Sequence, residues 1–145
     1  WMYNKICSIQ DPKPSKIRGV FNKFGRFLDT YLPITSSNTW CFDELKAEKG
    51  EAVNVAASRF LRPYNPALKC LEWAKFRRIK GQIEYAARTG RMFHLRWHPH
   101  NFGSNLDQNI DLLTRILDCY KKCNMKYNMK SMTIGAFADL ILKIK

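Results

Sequence analysis

Acidic residues are scarce in this chain: 12 aspartates and glutamates stand against 25 lysines and arginines, a formal net charge of +13. That imbalance favours acidic partners such as nucleic acid, anionic lipid or acidic glycan. The basic residues are spread along the chain instead of standing in one block, which makes nucleic acid an unlikely partner. No apolar run approaches the roughly 18 to 20 residues of a membrane helix, so no membrane span is expected. No apolar block follows a basic start, so no secretory signal is visible. The five cysteines, Cys7, Cys41, Cys70, Cys119 and Cys123, include no C-x-x-C pair and are odd in number. They are expected to be ordinary reduced thiols in a reducing, cytoplasmic compartment. A glycine-rich phosphate loop, H-E-x-x-H, G-x-S-x-G and a glycosidase-type acidic pair are all missing.

Histidine is also rare, and its placement is informative. All three histidines fall in the stretch Phe93-His94-Leu95-Arg96-Trp97-His98-Pro99-His100-Asn101-Phe102-Gly103. Phe93, Leu95 and Trp97 alternate with Met92, His94, Arg96 and His98, which predicts a strand over 91–98. Pro99 cannot donate to a ladder, so the strand should stop there and leave His98 on its tip. Imidazole titrates near neutral pH and is the usual proton carrier and a common metal ligand. Residues four apart in a strand lie roughly 13 Å apart, so His94 and His98 cannot share a metal on a straight strand. Acid–base chemistry, metal binding assisted by the turn at Pro99, and histidines held structurally by backbone all remain open on this pattern.

The rest of the chain reads as helices. With 46% hydrophobic residues, a chain of 145 residues suits one packed domain, or part of a larger one. It opens at Trp1, so the expectation is a piece of a longer protein whose front part is missing. Ile17, Val20, Phe21, Phe24, Phe27, Leu28, Tyr31 and Leu32 form one apolar stripe, predicting a helix over 17–32 that Pro33 stops. A long connection over 33–65 follows, carrying Arg59 and Arg62 as candidates for an anion or sugar hydroxyl, or as solvated surface groups. Pro66 should open a second helix ending at Thr89 before Gly90. Its buried side would be Leu68, Cys70, Leu71, Phe76, Ile79, Ile83, Ala86 and Ala87, and Lys69, Lys75, Arg77, Arg78, Lys80 and Arg88 would make it basic. Ser104-Asn105-Leu106-Asp107 resembles a capping box for a third helix running to about Cys123. Thr133 should cap a last helix carrying Phe137, Leu140, Ile141 and Ile144. One strand makes no sheet, so a partner strand must come from 53–62 or from outside the chain. This order suits the tail of an α/β layer or barrel.

Several segments, in order, resemble the carboxy-terminal part of the polysaccharide deacetylases, the NodB-homology group of carbohydrate esterase family four, in a branch found with bacterial surface-polysaccharide genes. They are Arg26-Phe27-Leu28-Asp29-Thr30-Tyr31, Ser58-Arg59-Phe60-Leu61-Arg62-Pro63-Tyr64, Arg78-Ile79-Lys80 with Ala86-Ala87, His94 to Gly103, and Ser131-Met132-Thr133. The resemblance implies an α/β fold, here the helix-rich carboxy-terminal part of an irregular (β/α) barrel, making the whole chain, 1–145, part of one catalytic domain. It also implies a hydrolase that removes acetyl groups from an N-acetylated carbohydrate by means of a divalent metal, usually zinc. The family's L-x-x-H motif falls on Leu95-Arg96-Trp97-His98, which gives Leu95 the acetyl pocket and His98 the general-acid role. Trp97, His100, Asn101 and Arg59 are the further candidates for substrate contact. Arg96 stands where related sequences often have a second aromatic. The family's metal-binding and general-base motifs are absent, so no metal is expected to be held by this chain alone, and the missing amino-terminal half would be its partner. The competing expectation is a non-enzymatic basic module that binds nucleic acid or an anionic glycan; a plainer one is an interaction domain with structural histidines.

Overall fold

The computed structural model describes residues 30–31, 38–45 and 53–143. The predicted helix over 17–32 lies outside these residues except for Thr30 and Tyr31, which are helical and buried. Cys7 and Ile144 also lie outside them.

The described chain is helix-rich, with a small two-stranded parallel sheet. Strand β1 (Arg59–Phe60) pairs with β2 (Leu95–Arg96) in the register Arg59 to Leu95 and Phe60 to Arg96. Parallel strands need a long crossover, and here it is helix α1 (Glu72–Thr89). The partner strand therefore comes from the 53–62 segment, one of the two sources the sequence allowed. The predicted strand over 91–98 is reduced to its middle. Met92 instead forms an isolated antiparallel bridge with Trp40, and the Ser58 and Arg59 amides both donate to the His94 carbonyl.

A 3-10 helix, Pro66–Leu71, leads into α1, with a kink at Leu68. Asn65 caps it, its Oδ1 accepting from the Ala67 amide at 3.1 Å, and Pro66 takes the first-turn position where a missing N–H costs nothing. Gly90 ends α1 at φ 64°, and its amide donates to the Ala86 carbonyl. Helix α2 (Leu106–Tyr127) begins one residue later than the Ser104 capping box predicted, and no side chain caps it: Asn105 is left-handed at φ 58°. It also runs past Cys123 to Asn128, a second left-handed stop at φ 54°. Helix α3 (Ile134–Lys143) starts as expected, with Thr133 Oγ1 accepting from the Ala136 amide at 3.2 Å.

Two cores hold these elements. The larger joins Leu61, Ile79, Ile83, Phe102, Leu112, Ile116, Cys119 and Cys123 between α1, α2 and the sheet, with Phe93 and Leu95 packed on it. Each fully buried aliphatic side chain contributes about 1.5–3 kcal/mol. The smaller core sets Phe137 and Ile141 of α3 against Leu45, Trp40, Val53, Val55 and Met92. It lies toward the start of the strands, away from the His98 tip.

Two polar residues predicted on the outside are inside. Lys75 is 1% exposed; its ammonium pairs with Glu72 and donates to the Arg62 and Pro63 carbonyls. Arg59, 8% exposed, is not a solvated surface arginine: its Nε donates to Gln82 Oε1 at 2.6 Å. Both were misplaced for one reason. A long cationic stem can be buried once its head finds acceptors, and Gln82 for Arg59 and the Arg62 and Pro63 carbonyls for Lys75 lie 12 to 23 residues away in sequence. Cys70, read as buried, faces solvent.

Candidate functional site

The site is the tip that follows β2. Leu95 and Arg96 form the strand, and Trp97 and His98 extend it. His98 remains extended, at φ −109° and ψ 121°, just before the 3-10 turn Pro99–Phe102. Pro99 forces that change, since its ring leaves no donor for a ladder. The turn closes with the Asn101 amide donating to the His98 carbonyl at 3.0 Å.

The turn folds His100 back over His98. Their rings stack with centroids 5.3 Å apart and planes at 21°. Phe60, the last residue of β1, also meets the His98 ring, with centroids 5.4 Å apart and planes at 54°. His98 is half-buried, with His100 and Trp97 exposed and Asn101 half-buried. The imidazole at the tip is therefore gripped by two rings and still reached by solvent.

His94 is not part of this group. Its amide donates to Ser58 Oγ at 3.0 Å and its carbonyl serves the neighbouring strand. Its Nδ1 is shielded from solvent and has no hydrogen-bond partner among the described residues. The structure thus brings His98 and His100 together, and His94 serves the strand pairing. Among the described residues no three histidine, cysteine, aspartate or glutamate side chains converge to hold a metal. The described residues therefore offer no ligand set for a zinc.

The other candidates separate by face. Leu95 leans on the larger core next to Phe93. Arg59 is held beneath the sheet by Gln82. Phe60 is the contact that sequence reading missed. The strand register brings it there, setting Phe60 opposite Arg96, two residues before His98.

Behind the tip, the two connecting loops are tied by Asn109, which is fully buried. Its Oδ1 accepts from the Tyr64 amide at 2.6 Å. Its Nδ2 donates to the Ser104 carbonyl at 2.9 Å and the Phe102 carbonyl at 3.4 Å. A buried amide that uses both ends has no outstanding desolvation cost. Beside it a groove of about 300 Å³ opens between the starts of α1 and α2, lined by Tyr64, Glu72, Asp107, Asp111, Leu112 and Arg115. None of the predicted site residues lines it.

No family model, curated protein or solved structure matches this chain.

Proposed function

We propose that this chain is the distal part of a carbohydrate N-deacetylase and that His98 is its proton donor. The observation that carries the reading is the position of His98. It stands just past the carboxyl end of a parallel strand pair, half-exposed, with its ring held by Phe60 and His100. The carboxyl end of parallel strands is where α/β folds place their chemistry. The L-x-x-H motif at Leu95-Arg96-Trp97-His98 points to the same residue.

The chemistry asked of it is one step. When the bond between the acetyl carbon and the sugar nitrogen breaks, the electron pair stays on nitrogen. Expulsion as an amine requires a proton there. Imidazolium supplies that proton near neutral pH and returns to neutral imidazole. Phe60 and His100 pack against the ring, which narrows the directions in which it can donate. Trp97 and Asn101, beside it, offer an exposed indole and an amide to the sugar. The group that activates water, and the barrel that would complete the sheet, belong to the amino-terminal half of the domain in this reading. Leu95 would reach an acetyl pocket only from the core side on which it packs.

Two measurements test this. The polypeptide expressed from its complete coding sequence should release acetate from N-acetylated oligosaccharides, with His98→Ala lowering the rate by about a hundredfold or more. With the present chain, N-acetylated chito-oligosaccharide should perturb the His98 ring and Trp97 indole NMR signals. Acetate release unchanged in His98→Ala, or signals at the tip that ignore the sugar, would overturn the proposal.

A further inference from the structure

The outward face of α1 belongs to neither core and has no part in the His98 tip. Trp73, Arg77, Lys80 and Arg88 are all exposed there. At 3.6 residues per turn they fall on one side of the helix axis. Trp73 is 61% exposed, an unusual position for a large indole. The Arg77 guanidinium lies 5.2 Å from its ring centroid, so a cation and an aromatic plane are presented as one unit. Glu84 interrupts the row and pairs with Lys80 at 3.7 Å, and both remain about half exposed.

We infer that this face binds an acidic glycan: the row of cations holds its carboxylates and the Trp73 indole packs against a sugar ring. The spacing selects the polymer. At 1.5 Å per residue, Arg77 and Arg88 stand about 16 Å apart along the helix, with Lys80 between them. Nucleic acid carries a phosphate every 3.4 Å or so along each strand, far denser than this row can match, and Glu84 would oppose it. A polysaccharide whose charges are separated by whole sugar rings meets the cations singly and passes Glu84 with little repulsion. A lipid surface would call for several apolar side chains to insert, and only Trp73 among these four residues is apolar. The chemical class is thus a uronate-bearing or similarly acidic chain. The inference does not depend on the His98 reading, because it concerns binding alone.

The test uses the whole chain and four probes: a hyaluronan oligosaccharide, a neutral chito-oligosaccharide of the same length, a single-stranded oligonucleotide, and vesicles containing phosphatidylserine. Calorimetry or fluorescence of Trp73 reads the affinities across a salt series. The acidic glycan should bind most tightly and weaken with salt. The double variant Arg77→Ala/Arg88→Ala should lose about five- to tenfold in affinity, and Trp73→Ala about threefold. These side chains are exposed, so circular dichroism melts should match the parent and separate binding loss from unfolding. Acidic-glycan binding that ignores these substitutions, or neutral-sugar binding that they weaken equally, overturns the inference. Tighter binding of the oligonucleotide or vesicles overturns it equally, since the face would then serve a different polyanion.

Discussion

Lys75 shows how one residue can set a local structure. Its ammonium is out of water and satisfied by Glu72 and two carbonyls of the β1–α1 loop. Burial is the largest influence on it and pulls its pKa down, and the Glu72 carboxylate acts the other way. Lys75→Met leaves that carboxylate and both carbonyls without their donor. It should cost about 3 kcal/mol in urea unfolding, and adding Glu72→Gln should recover part of the loss. The buried thiols give a pH signature. Burial, then the neighbouring Cys123, pushes the Cys119 thiol up from 9.0 to about 11. A thiol that ionises more readily unfolded than folded favours the folded state below pH 9, and that contribution is lost as pH climbs toward 11. Tyr31, raised chiefly by burial, has the same sign; Lys75 has the opposite one, because its burial cost vanishes as it loses its proton. Cys119→Ala should therefore flatten the alkaline decline in melting temperature. A decline equally steep in the variant would assign it elsewhere. Exposed Cys70 should react with a thiol reagent well before Cys119 and Cys123 do.

At the scale of elements, punctuation residues were more legible than side-chain partners. Pro66, Gly90, Pro99 and Thr133 each mark a boundary that the structure keeps, because each acts through its own backbone geometry or a near neighbour. Asn128 carried the same kind of information. The apolar period stops at Cys123, but the helix continues until an asparagine able to adopt positive φ. The Ser104 start was misread because the N-cap position falls on Asn105, which takes the left-handed conformation that asparagine tolerates. The strand was overextended because alternation describes the faces of an extended chain, whereas ladder length depends on the partner, here two residues of β1. Gly90 offers a check on element-level reasoning. At φ 64° with open space where a side chain would go, Gly90→Ala should cost about 1 kcal/mol through backbone strain alone. A thermal melt that leaves the helix unaffected would show that α1 is held by its packing on α2 and not by its stop.

For the whole molecule, charge is the governing quantity. A net charge of +13 repels itself in any compact state. Moderate salt, near 0.15 M where the Debye length is about 8 Å, should raise the melting temperature relative to low salt. A melting point that falls over the same range would mean that specific ion pairs outweigh the repulsion. The exposed ones among the described residues, such as Lys121 with Asp118 and Arg115 with Asp111, are local helix pairs worth little. No described helix is long and apolar enough to cross a membrane. Of the candidate site, the strand-tip position of His98 was legible because a proline fixes it. Its companion Phe60 was not, since 38 residues separate the two in sequence and only the parallel pairing joins them.

The triple grip of Asn109 has one mechanical outcome. Because a single amide bridges the loop after β1 to the turn after β2, the two cannot swing independently. The rim bearing the imidazole pair moves as one hoop or stays still.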